Sequence, residues 1–118
     1  MTGKERIDAM IGGEMCDFVP RTPILMQYAA EYIGSDYGAF ASDHRVLVEA
    51  NLRCAEDFGM DQVSAISDPY REAAGFGGEI EFVRDGVPRC TPPMAAGRDF
   101  SLLSDPDPEQ SERMRDRL

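Results

Sequence analysis

The sequence predicts an α/β fold in which helices and two short parallel strands are followed by a β-hairpin. Three observations carry that expectation. A helical apolar row over residues 43–58 stops at Gly59. An alternating segment, Met60-Asp61-Gln62-Val63-Ser64-Ala65-Ile66, comes directly after it. Asp85-Gly86 then sits between two short runs of strand formers.

Taken in order, Thr2 followed by Glu5 is a capping box, and Ile7, Met10 and Ile11 recur at helical spacing until Gly12-Gly13. Asp17-Phe18-Val19-Pro20-Arg21-Thr22-Pro23-Ile24-Leu25-Met26 sets prolines around a short apolar run, which suits a first buried strand reached through an extended loop. Residues 27–33 read as one or two helical turns, with Tyr28, Ala29 and Tyr32 on one face before Gly34. In the long helix, Leu47, Asn51, Cys54 and Phe58 form one row, with Val48, Leu52 and Ala55 beside it.

The second strand is expected to end near Ser67. Asp68 would then cap a helix starting at Pro69, and Gly75, Gly77 and Gly78 would stop it. Residues 79–83 and 87–90 flank Arg84-Asp85-Gly86 as a hairpin. Thr91-Pro92-Pro93 reads as a loop, and Ser104-Asp105-Pro106-Asp107-Pro108 punctuates a polar terminal helix over 104–118, whose mixed charges suit a solvated face. Two parallel strands make a poor sheet, and the final helix lacks a C-cap glycine, so further βα units are expected to follow.

Composition narrows the function classes. The chain has 118 residues, enough for one small core, so residues 1–118 are read as a single domain. Acidic residues number 22 against 12 basic, a net charge of −10 that repels phosphate backbones and anionic membrane surfaces. Nucleic acid and membrane are therefore excluded as partners. Nothing approaches the roughly 18 consecutive apolar residues of a membrane span, and no apolar signal region follows the N-terminus, so the cytoplasm is the expected compartment.

Cys16, Cys54 and Cys90 are widely spaced and read as reduced thiols rather than a metal set, since Cys54 lies on an apolar helix face. His44 is the single histidine, at the start of the long helix beside Asp43 and Arg45, and reads as a surface residue with no catalytic triad around it. Met10, Met15, Met26, Met60 and Met94 read as gap-fillers. Gly75-Phe76-Gly77-Gly78 follows a helix and precedes a strand, the reverse of a phosphate cradle. Ser67-Asp68-Pro69 lies where a strand meets a helix, the edge on which α/β folds place ligand-facing carboxylates. Asp68 therefore has two readings, as a functional carboxylate or as a helix cap.

Thr2-Gly3-Lys4-Glu5-Arg6, Asp17-Phe18-Val19-Pro20, Ile66-Ser67-Asp68-Pro69 and Phe76-Gly77-Gly78-Glu79-Ile80-Glu81-Phe82, in this order and spacing, resemble the uroporphyrinogen decarboxylase family through nearly the whole chain. The resemblance implies the N-terminal part of a (β/α)8 barrel about three times this long. The family divides into tetrapyrrole decarboxylases and zinc-dependent methyltransferases that move methyl groups between a corrinoid protein and a thiol. It implies a catalytic role for Asp68, whose counterpart in decarboxylases accepts hydrogen bonds from pyrrole N–H groups and stabilises developing positive charge. It also puts Gln27, Tyr32 and Tyr70 on the substrate side.

In decarboxylases of the family, the segment resembling residues 26–32 carries two arginines that bind substrate carboxylates, and here Gln27 and Glu31 stand at those positions. The departure favours the methyltransferase-like branch over decarboxylation. Zinc and a corrinoid would enter only in a full-length parent of that branch, with ligands beyond Leu118, so no metal site and no cofactor are expected in this chain alone. By the resemblance, tetrapyrrole or corrinoid-type molecules would be substrates of the parent, and this chain alone would be inactive. The competing expectation is a non-catalytic module that self-associates as a homo-oligomer, or binds a partner, through an uncovered sheet edge.

Overall fold

The structure is a computed structural model and describes residues 1–91, 100–103 and 105–116. Thr2 caps α1 (Gly3–Ile11) through the expected reciprocal capping box with Glu5. Arg6 then ties α1 to the body. Its guanidinium lies over the Phe18 ring, grips Asp17 with two hydrogen bonds of 2.7 and 3.0 Å, and donates to Asp61 at 2.8 Å.

Three helices enclose the core: α2 (Gln27–Tyr32), α3 (Tyr37–Ser42) and α4 (His44–Phe58). Ala29, Ala30, Tyr37, Phe40, Leu47, Ala50 and Cys54 form its centre, with Leu25, Met26, Ile33, Val46 and Met60 packed around it. Asp43 caps α4 by accepting the Arg45 N–H, and Gly59 ends it in the left-handed conformation at φ 59°. One predicted row of α4 is buried at Leu47, Asn51 and Cys54, and Asn51 donates to the Leu47 carbonyl. The neighbouring row is not: Val48 and Leu52 are about half exposed and border a cleft of about 270 Å³ against Val63, Ser64 and Ala65.

α3 is absent from the sequence expectation. Its six residues include Gly38, so no apolar period develops, but Asp36 caps it by accepting the Ala39 N–H. The methionines divide. Met26 and Met60 pack on the core, Met10 and Met15 are exposed, and Met94 lies outside the described residues.

The two parallel strands are not formed, which corrects that part of the predicted fold. Residues 22–26 and 60–67 carry no ladder hydrogen bonds, although their starts are joined by the Asp61 N–H donating to the Arg21 carbonyl at 2.8 Å. Beyond that link, Thr22, Pro23 and Ile24 face Gln62, Val63, Ser64 and Ile66 across a cleft of about 220 Å³. Strand geometry needs a partner backbone on at least one edge, and neither segment supplies it to the other. Among the described residues the sheet is instead the hairpin of β1 (Ile80–Glu81) and β2 (Arg89–Cys90), antiparallel with Ile80 opposite Cys90.

The helix expected from Pro69 begins two residues later as α5 (Arg71–Gly75), without a side-chain cap. After a 3-10 turn at Phe100–Leu102, the polar helix expected over 104–118 is reduced to α6 (Glu112–Arg115), capped by Ser111. Residues 105–107 are irregular and residues 108–110 form a turn that starts at Pro108. Ser104, Arg117, Leu118 and the Pro92-Pro93 loop lie outside the described residues.

Candidate functional site

Asp68 closes the 60–67 segment, and its carboxylate is fully buried. The Oδ1 atom accepts the Tyr70 N–H at 2.9 Å and Arg113 Nη1 at 3.2 Å. The Oδ2 atom accepts the Ser67 hydroxyl at 2.7 Å and Arg113 Nη2 at 2.6 Å. The predicted N-cap role is thus replaced by a tight turn that satisfies Tyr70 and leaves the helix start to residue 71. Burial pushes the Asp68 carboxyl up, but the hydrogen bonds from Arg113, Ser67 and Tyr70 outweigh it and hold the pKa below the ordinary value. Asp68 is a carboxylate at neutral pH.

Arg71 and Arg113 converge on this point. Both donate through Nη2 to the Ala41 carbonyl at the C-terminus of α3, at 3.2 and 3.3 Å. Arg71 also donates to the Ser67 hydroxyl at 3.1 Å and to the Arg113 carbonyl. Behind them the Tyr37 hydroxyl donates to the Ser67 carbonyl at 2.6 Å, and burial followed by the nearby Asp68 charge pushes that phenol up. The Arg113 guanidinium lies 4.8 Å from the centre of the Phe82 ring. The α6 end of the polar tail is therefore docked on the end of the 60–67 segment, while residues 105–110 are exposed.

The other sequence candidates are elsewhere or contribute only backbone. Gln27 donates to Glu31 at 2.8 Å on the exposed face of α2. Tyr32 donates to Asp57 at 2.9 Å and packs with Tyr28 and Phe58. Asp57 lies at the C-terminal end of α4, whereas His44 at the other end is bonded to Asp116 beside the Arg113 helix. A helix of this length spans roughly 22 Å, so Tyr32 and Asp68 are at opposite ends of the molecule's central helix. Tyr70 touches Asp68 through its backbone N–H. Beside Tyr28 and Phe58, the residues Arg21, Thr22, Pro23, Leu25 and Met60 line an apolar cleft of about 590 Å³.

For a metal, the one group of potential ligands found close together among the described residues is Asp43, His44 and Asp116. It does not fit a zinc centre of His and Cys donors. Asp43 is committed to its helix cap, Asp116 has Arg71 at 3.7 Å, and Cys54 is buried in the core.

Arg113 and Tyr37 were not identified from the sequence. Arg113 is 45 residues from Asp68 in a stretch of alternating charge, and Tyr37 lies in a helix too short to show a period. A family profile described as uroporphyrinogen decarboxylase (URO-D) matches residues 2–117. No curated protein and no solved structure matches the chain significantly.

Proposed function

Because the chain belongs to the uroporphyrinogen decarboxylase family, we propose that it is the N-terminal portion of a (β/α)8 enzyme, of the branch that transfers methyl groups between a corrinoid and a thiol. In this reading residues 22–26 and 60–67 are the first two barrel strands. Their missing ladder and the exposed side chains of Ile24, Val63 and Ile66 support it, since each is a surface that neighbouring strands would cover. Asp68 then stands at the C-terminal end of the second strand, the edge where barrels assemble their active sites.

The observation that carries the branch assignment is the Gln27–Glu31 pair. A substrate rich in carboxylates needs cations beside it, and α2 offers an amide hydrogen-bonded to another carboxylate. Decarboxylation of a tetrapyrrole is the runner-up, and Asp68 would there accept pyrrole N–H groups. In either reaction the chain's own contribution is a buried, ionised carboxylate, and the chain alone is inactive. A second reading, a self-associating or partner-binding module, draws on the same exposed apolar residues.

The test supplies the remaining strands of a full-length family member as a second chain. Methyl transfer from methylcobalamin to a thiol, and decarboxylation of uroporphyrinogen, are then assayed anaerobically. Thiol methylation that is lost in Asp68→Asn is the expected result. Decarboxylation with Gln27 and Glu31 in place would overturn the branch assignment, and a second chain that never associates would favour the module.

A further inference from the structure

A carboxylate offers about four lone-pair positions, and Asp68 has all of them engaged: Tyr70 and Arg113 on Oδ1, Ser67 and Arg113 on Oδ2. With a fully buried side chain it has no position left for a ligand. Two of the four contacts, those of Ser67 and Tyr70, come from its own neighbourhood, and the other two belong to one remote side chain, Arg113 on α6.

The segment carrying Arg113 is held mainly by polar contacts. Residues 105–110 are exposed and α6 is four residues long. Beside the Asp68 pair, its ties include Arg71 to the Arg113 carbonyl, Arg113 to the Ala41 carbonyl and the Phe82 ring, and Asp116 to His44 at 2.8 Å and Arg71 at 3.7 Å. Arg113 Nε is buried with no acceptor among the described residues, so its seat is incomplete. Met114 is the apolar anchor, packed with Pro106 against Gly75, where an added Cβ would collide with the Met114 sulfur. Segments with few apolar contacts and polar, solvent-accessible tethers open at low free energy.

We propose that residues 105–116 form a releasable strap, in which Arg113 fills the donor positions that a ligand would otherwise occupy at Asp68. Release exposes the carboxylate and frees two adjacent acceptor sites for a cationic or N–H-rich ligand. Docking closes the site with the chain's own guanidinium. The autoinhibitory meaning rests on the reading of Asp68 as a ligand-facing group, while the opening itself does not.

The experiment uses the full chain. Carbodiimide-driven coupling of glycinamide to Asp68 is followed by peptide mapping, alongside amide hydrogen exchange of α4 and α6, at denaturant concentrations below unfolding. The strap predicts that Asp68 couples while the amides of Ala50 and Cys54 stay protected. Arg113→Gln should raise the coupling rate by about tenfold or more, as should Gly75→Val, which displaces Met114 without touching the ion pair. Coupling of Asp68 only in step with exchange at Ala50 and Cys54 would overturn the proposal, and that outcome is readable in the unsubstituted chain even where a variant fails to fold. Loss of activity in Asp68→Asn tests the ligand role separately, so either idea can fail while the other stands.

Discussion

At the scale of single residues, Asp68 and Arg113 decide the behaviour of the site. Asp68→Asn removes one charge and leaves Arg113 without its counterion. A buried, uncompensated guanidinium would cost several kcal/mol, but α6 can swing out and return it to water. The expected loss of global stability is therefore only about 1 kcal/mol, with a much larger loss of exchange protection in residues 105–116. Acid should act on the same contact. The Asp68, Asp61 and Asp17 carboxyls are all lowered in the folded chain. For Asp61 the Arg21 N–H is the main cause, and for Asp17 it is the Arg6 guanidinium. A lowered folded pKa gives stability that is present above the unfolded value near 4 and is lost as pH falls through the folded one. Urea midpoints should stay level from neutrality to about pH 5 and drop below about pH 4. The sequence marks Asp68 by its place at a strand end, but its partner could not be read there, because no local pattern links residues 45 positions apart.

At the scale of elements, α4 organises the molecule. Its start, stop and buried row were legible because each depends on neighbours in sequence: Asp43 on the Arg45 N–H, Gly59 on its own φ, Leu47 and Cys54 on the helical period. Asp43→Ala should cost about 1 kcal/mol through the lost cap. Gly59→Ala should cost about 1 kcal/mol through left-handed strain. Both are read as shifts in the urea midpoint at unchanged m. The turn at Gly75, Gly77 and Gly78 and the hairpin at Asp85-Gly86 were legible for the same local reason. The segments 22–26 and 60–67 were not, because alternation predicts a strand only where another strand is present to pair with it. The tail misleads for the opposite reason: a nearly all-polar stretch predicts a solvated face, yet Arg113 and Asp116 use their charges to dock its α6 end.

At the scale of the whole molecule, the shape argues that apolar surface is left unclosed. The radius of gyration is 17.3 Å, whereas a compact chain of this length has about 13.5 Å. Ile24, Val63, Ile66, Val48 and Leu52 are all more than a third exposed. None of the described helices is long and apolar enough to cross a membrane. An exposed patch of this kind predicts dye binding and a scattering mass that rises with concentration. A constant monomer mass with no dye response would count against it. The most direct test of the central claim is amide hydrogen exchange at residues 22–26 and 60–67, before and after adding the remaining barrel strands of a full-length family member. The account predicts rapid exchange in the free chain and strong protection of both segments in the complex, as paired strands require. Association that leaves these amides exchanging at the free rate would contradict it.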